Sequence, residues 1–139
     1  MRAILLPAAM LALAAPALDE PTTMQTAMTG AAEVPGPGAP NGQGSASLTL
    51  DADHNQICYM LHASGTDTAT MAHIHKGAAG VAGPVVVPLT APASGVARGC
   101  ATVAPDLLAA IAASPADYYV NVHTLAFPKG AMRGQLGGK

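Results

Sequence analysis

The sequence predicts an all-β domain, an antiparallel Greek-key-like β-sandwich of about eight short strands with one short helix. Beyond the N-terminal segment, short apolar stretches alternate with clusters of Gly, Pro, Asn and Asp, a rhythm typical of sandwiches and barrels. The 139 residues suffice for one domain with a hydrophobic core and are too few for two ordinary domains. We therefore expect a single β domain.

Eight segments carry alternating or β-branched apolar residues between turn residues, and each is predicted as a strand. These segments are Met24–Met28, Gly44–Leu50, Gln56–Ala63, Ala69–His75, Val85–Leu89, Gly95–Thr102, Asp117–His123 and Ala131–Leu136. The polar stretch DADHN at residues 51–55 predicts a hairpin turn. The stretch PDLLAAIAASP predicts the helix, because Pro105 suits the first helical position and Asp106 the first turn.

Residues 1–17 have the features of a secretory signal peptide. They combine Arg2, an apolar stretch, and small residues at Ala15 and Ala17 in an A-x-A arrangement. The stretch is shorter than the roughly 20 residues of a membrane-spanning helix, and prolines interrupt it. We expect cleavage after Ala17, a secreted or periplasmic location, and no membrane association of the mature chain.

Composition argues against nucleic acid as a partner. Without Arg2, five Lys and Arg residues face eight Asp and Glu residues, so the mature chain is mildly acidic. Clustered basic residues are absent, and one Phe, three Tyr and no Trp provide no platform for stacking bases. An extracytoplasmic protein partner remains open.

The two cysteines, Cys58 and Cys100, are predicted to form a disulfide. Export to an oxidising compartment favours this pairing, which would close a loop of some forty residues. Two buried free thiols are the alternative.

Histidines provide the main candidates for chemistry. Side chains alternate along a strand, so His73 and His75 in AHIHK share one face while Ala72 and Ile74 take the other. In YYVNVHT, His123 lies opposite the valines and therefore also points away from the core. If the two strands are neighbours, three imidazoles converge, a ligand set that suits copper or zinc.

Other residues have weaker signals. His62 is a candidate fourth ligand, although it shares a face with Cys58 and Met60 on another strand. Arg133 and Gln135 either bind a partner or hydrogen-bond loop carbonyls that hold the last strand, and we favour the second role. Motifs of serine hydrolases and helical zinc proteases are absent, so no catalytic residue is predicted.

Five stretches of the chain resemble the CHRD, or chordin-type, domain family. They are MTGAAEVPGP, NGQGSASLTLD, ICYMLHASG, MAHIHKGAAGVAGPVVVPL and DYYVNVHTLAFPKGAMRGQL, in this order over about residues 24–136. The resemblance implies an extracellular module. The family includes repeats in chordin, which sequesters growth factors, and single domains in exported bacterial proteins whose function is mostly unassigned.

A weaker similarity links His73, His75 and His123 to the copper ligands of copper-zinc superoxide dismutases, which also use an H-x-H pair and a later histidine. Residues 77–84 contain no ligand in place of the zinc loop of those enzymes, and no bridging histidine is evident. Three functions therefore remain: a metal-binding protein, a copper-dependent dismutase-like enzyme, and a metal-free interaction module. We favour the first.

Overall fold

Eight antiparallel strands form one sheet in the computed structural model, which describes residues 20–137. They are β1 (Thr22–Thr29), β2 (Gln43–Asp51), β3 (Gln56–Ser64), β4 (Ala69–Lys76), β5 (Val85–Leu89), β6 (Val96–Thr102), β7 (Tyr118–Thr124) and β8 (Met132–Gln135). Their order across the sheet is β5-β4-β7-β8-β1-β2-β3-β6. The predicted all-β antiparallel fold is confirmed. The predicted signal peptide lies outside the described residues.

The alternation of the sequence determines which side chains enter the core. In β3, Ile57, Tyr59 and Leu61 are buried, while the residues between them are half-buried. Inward side chains of all eight strands join one hydrophobic cluster, whose least exposed members include Met28, Leu48, Ile57, Leu61, Ile74, Val120, Val122 and Met132. Burying each of these aliphatic side chains contributes roughly 1.5–3 kcal/mol.

The two edge strands, β5 and β6, are drawn together by Tyr59. Its hydroxyl donates to Thr90 Oγ1 at 3.1 Å and accepts a hydrogen bond from the Thr90 backbone N–H at 2.9 Å. Thr90 directly follows β5, whereas β3 lies beside β6 at the other end of the sheet. Gly99 of β6 permits this contact, because a Cβ there would lie 2.7 Å from the Tyr59 hydroxyl. The sheet is therefore nearly closed.

The predicted helix is confirmed as α1 (Pro105–Ala113), with Pro105 in its first turn. Leu108 and Ile111 are buried and extend the core beyond the strands. Short 3₁₀ turns lie at Gly30–Ala32, directly after β1, and at Pro115–Asp117, directly before β7. No helix within residues 20–137 is long and apolar enough to cross a membrane.

Cys58 and Cys100 form the predicted disulfide. They are directly opposed in the register of β3 and β6, with 3.9 Å between their Cα atoms. Ile57 points to the core, so Cys58 points outward, and the disulfide lies on the outer face of this half of the sheet.

The outer face of β7 is buried, unlike that of β3. All seven β7 residues are buried. Tyr118, Val120 and Val122 belong to the core, whereas residues 77–84, here called the glycine-rich segment, pack over the outer face of this half of the sheet. Arg133 of β8 donates to the carbonyl oxygens of Val81 and Ala78 at 2.7 and 2.8 Å. Gln135 donates to the Gly77 carbonyl at 2.7 Å. The predicted role of Arg133 and Gln135, binding loop carbonyls, is confirmed.

Candidate metal centre

The three predicted histidines lie on two adjacent strands. β4 and β7 pair antiparallel, with Met71 opposite His123, His73 opposite Asn121 and His75 opposite Tyr119. The intervening residues of both strands are apolar and buried in the core, so this register places the polar side chains together on the outer face. The two histidine strands are thus neighbours, as the predicted three-histidine site requires.

The imidazoles of His73, His75 and His123 form one cluster. The Nδ1 atom of His73 lies 3.2 Å from Nε2 of His123, and one nitrogen of each ring lies within 4.8 Å of the other two. A metal ion binds imidazole nitrogens at about 2.0–2.1 Å, so two nitrogens on one tetrahedral ion are about 3.4 Å apart. The His73–His123 pair is already close to this spacing. The widest pair reaches it by an approach of at most about 1.4 Å, which rotation of two side chains can supply.

Backbone carbonyls orient two of the rings. His75 Nδ1 lies 2.8 Å from the Gly83 carbonyl oxygen, and His123 Nδ1 lies 3.0 Å from that of Pro128. Because a carbonyl oxygen only accepts, each Nδ1 carries the hydrogen and each Nε2 keeps its lone pair in the neutral ring. This arrangement is common around ligating histidines, since it fixes both tautomer and ring orientation.

The Nε2 atom of His75 is buried and has no hydrogen-bond partner among the described residues. The residue itself is 7% exposed. An unpartnered buried acceptor costs about 1–3 kcal/mol, so such an atom usually has a ligand or a structural purpose. Coordination of a cation would remove this penalty.

Burial also keeps two of the rings neutral. It lowers the pKa of His73 below the ordinary 6.5, and the neighbouring His123 and His75 lower it further. Burial likewise lowers the pKa of His123, although the bond to the Pro128 carbonyl opposes the shift. Because neutral imidazole is the coordinating form, both lone pairs are available at neutral pH.

A stack of three side chains holds the His75 ring in place. The rings of His75 and Tyr119 are 4.8 Å apart and nearly parallel, at 8°. The Arg133 guanidinium carbon lies 3.4 Å from the centre of the Tyr119 ring, a cation–π contact. The Tyr119 hydroxyl also accepts a hydrogen bond from the Gly83 backbone N–H at 3.1 Å. The glycine-rich segment, β7 and β8 thus position this ligand together.

Behind His123 lie two polar residues that the sequence did not single out, Asn121 and Glu33. The Asn121 Oδ1 atom is 3.1 Å from His123 Nε2. Glu33 is 5% exposed, and its Oε1 atom has no partner among the described residues. Burial raises its pKa to about 7, against opposing polar contacts with Val34 and Asn121 and the charge of Arg133.

The position of Glu33 depends on a glycine. A Cβ at Gly130, whose φ is +137°, would clash with the Glu33 carboxyl group. The signal in the sequence was a lone carboxylate within GAAEVPGPGAP, a segment that otherwise contains only small and apolar residues. Such a segment has no strand or helix periodicity, so the sequence did not indicate that it packs against the site.

The structure does not bring His62 into the cluster. His62 is exposed on the outer face of β3, and β8, β1 and β2 lie between β3 and β7 in the sheet. It lines a broad concavity of about 730 Å³ with Gln25 and Ser45, away from the three clustered imidazoles. His54 is also exposed and contacts the Asp51 carboxylate at 2.7 Å.

Comparison with known proteins assigns the family. No curated protein and no solved structure matched the chain. The family model described as CHRD domain matches residues 24–136, from β1 to the residue after β8, and so includes all three clustered histidines. The chain therefore belongs to the CHRD domain family.

Proposed function

We propose that this CHRD-domain chain is an exported protein that binds one transition-metal ion, copper or zinc, through His73, His75 and His123. The observation that carries the proposal is the buried Nε2 lone pair of His75, which has no partner among the described residues and belongs to the three-histidine cluster. A cation bound there would use all three imidazoles and leave room for water or a further ligand.

The contact between His123 and Asn121 is compatible with the same conclusion. With its hydrogen on Nδ1, His123 Nε2 is an acceptor, and it faces the Asn121 amide oxygen, also an acceptor, at 3.1 Å. The lowered pKa of His123 disfavours a second proton on this ring, so its Nε2 lone pair is available. Either an N–H of the neutral His73 ring, whose Nδ1 is 3.2 Å away, or a cation shared by the two rings satisfies this lone pair.

Export is supported by the N-terminal sequence and by the disulfide. Residues 1–17 have the composition of a signal peptide, and the Cys58–Cys100 disulfide is the kind of crosslink that persists in oxidising compartments. N-terminal sequencing of the protein recovered outside the cytoplasm should give Leu18 as the first residue. An unprocessed chain retained in the cytoplasm would contradict this part of the proposal.

Metal binding is tested by calorimetric titration of the purified, chelator-treated protein with Cu(II) and with Zn(II). We expect one ion per chain with a Kd of about 1 μM or tighter, equivalent to about 8 kcal/mol. The double variant His73→Ala/His75→Ala should lose this binding. His62→Ala is the matched control, since it removes an exposed strand histidine outside the cluster, and it should bind like the parent.

Proton competition gives a second test of the same site. Affinity should fall as the pH decreases below about 6, because the imidazoles must be neutral to coordinate. Absence of binding in the parent, or binding that depends on His62 rather than on the double substitution, would overturn the proposal.

A copper-dependent, superoxide-dismutase-like activity is the second candidate function. The pairing of an H-x-H strand with the His123 strand favours it, because this is the arrangement that resembles the copper ligands of those enzymes. Such activity must depend on added copper and disappear in His123→Ala. Copper binding without activity would leave a binding protein.

A further inference from the structure

Met71 lies at the edge of the histidine cluster. It precedes His73 by two residues on β4, and it is directly opposite His123 in the register with β7. Ala72 and Ile74 point into the core, at 1% and 0% exposure, so alternation places Met71 on the outer face with the histidines.

The spacing of the strands puts the Met71 sulfur within reach of the proposed ion. Directly opposed residues of an antiparallel pair have Cβ atoms about 4.5–5.5 Å apart. Residues two apart on one strand are separated by about 6.6 Å. The thioether sulfur lies two bonds beyond Cβ on a flexible, unbranched side chain, so it can approach an ion held by His73 and His123 without movement of the backbone.

Packing does not explain this methionine. Met28 and Met132 are 1% and 0% exposed and belong to the core, whereas Met71 is 47% exposed. Met71 is thus a flexible, exposed thioether side chain beside three candidate nitrogen ligands.

We propose that Met71 supplies a thioether ligand to the metal centre and makes it selective for copper, above all Cu(I). This inference rests on the proposed metal-binding function. Thioether sulfur is a soft ligand that favours Cu(I), whereas Zn(II) is bound well by imidazole nitrogen with oxygen or thiolate ligands. Three imidazoles and one thioether therefore form a copper site, and three imidazoles with water would also suit zinc.

The test compares Cu(I) and Zn(II) affinities of the full protein with those of Met71→Leu. Leucine keeps the volume and apolar character of methionine, so the fold should be retained. Cu(I) affinity is measured without oxygen, by competition with a chromophoric Cu(I) chelator. It should fall at least about tenfold in Met71→Leu, since even contacts outside the ligand shell of a metal site are worth 10- to 100-fold in affinity. Zn(II) affinity should change less than about twofold, since zinc does not need the sulfur.

Met60→Leu is the matched control. Met60 is a half-buried methionine on the outer face of β3, and its substitution should change neither affinity. X-ray absorption spectroscopy of the Cu(I)-loaded parent and of Met60→Leu should show a sulfur atom bound to copper, and Met71→Leu should lack it.

The outcomes distinguish this inference from the proposed function. If both metals bind through the histidines and Met71→Leu changes neither Cu(I) affinity nor the sulfur signal, the role of Met71 is wrong and the metal site stands. If the parent binds no metal at all, both are overturned. Equal losses of Cu(I) and Zn(II) affinity in Met71→Leu would also refute a selective thioether, because they indicate a general disturbance of the site.

Discussion

The outer faces of the two halves of the sheet are secured by different chemistry. Over β7 and β8, the glycine-rich segment excludes water, and Arg133, Tyr119 and His75 are fixed by hydrogen bonds and stacking. Over β3 and β6 the outer face is open. The connection there, beyond the backbone ladder, is the Cys58–Cys100 disulfide.

The difference follows from exposure to solvent. Hydrogen bonds to a charged group are worth about 1.5–3 kcal/mol each where water is excluded, and exposed ion pairs often contribute almost nothing. A covalent crosslink acts regardless of solvent, so it suits the open face. The covered face also creates what the open face lacks, namely buried imidazole lone pairs held in a fixed geometry. The candidate metal centre is therefore a product of the covering segments as well as of the histidines.

Removing the disulfide should have the largest effect on stability. The bridge spans a sequence separation of 42 residues. On the chain-entropy model a loop of this length stabilises the fold by about 4 kcal/mol. We expect Cys58→Ser/Cys100→Ser to lose about this much free energy of unfolding in urea titrations. Its metal affinity should stay within about twofold, because the bridge and the histidines lie on different halves of the sheet; a large loss of affinity would show that the halves are coupled.

Arg133→Ala should have the next largest effect, and Arg98→Ala almost none. Arg133 is 2% exposed and its three hydrogen bonds include two that hold the glycine-rich segment, whereas Arg98 is exposed on β6. Breaking a buried charged network costs about 3 kcal/mol or more. An exposed substitution usually stays within about 0.5 kcal/mol. Chemical denaturation of both variants measures the contrast, and similar losses in the two would refute the distinction between the faces.

The sequence predicts the inner face of this molecule much better than its outer face. Alternation correctly places Ile57, Leu61 and Val120 in the core, because each of their strands has one apolar side. This pattern is visible within a single strand, whichever strands pair with it. The same alternation put His62 and His73 equally outward. Only the pairing of β4 with β7, which joins His73 to a residue 50 positions away, decides which of them meets His123.

The covering of the outer face escaped prediction for a related reason. The segments that contribute Glu33 and Gly83 are rich in glycine, alanine and proline and have no periodicity, so the sequence shows neither their path nor the surface that they bury. Arg133 was the partial exception. An arginine beside glycine in a terminal strand indicated a structural role with loop carbonyls, and the structure gives it that role.

Glu33 provides the finest test of the covered face, through the pH dependence of stability. Its folded-state pKa is about 7, above the ordinary 4.5, so between these values the folded chain holds a proton that the unfolded chain has released. Stability must therefore decrease as the pH rises through this window. The shift corresponds to at most about 3 kcal/mol, and we expect about half of it, because the cavity beside the carboxyl group admits solvent that screens its charge.

Glu33→Gln should remove this dependence and be more stable than the parent at pH 8, by about 1–2 kcal/mol, with little difference at pH 4. The measurement is urea denaturation across this range in the presence of a chelator, since a bound cation would favour the ionised carboxylate. The lowered pKa values of His73 and His123 affect the free energy of unfolding with the opposite sign, because their stabilising contribution is lost as the pH falls below 6.5. Both proteins contain these histidines, so this contribution cancels in the difference between them.

Glu20→Gln changes the other glutamate, which is exposed, and its stability should follow that of the parent at every pH. If the free energy of unfolding of the parent and of Glu33→Gln depended on pH in the same way, water would reach Glu33 freely. The contrast between a covered and an open face would then be wrong at Glu33, where burial of a charge should be most costly.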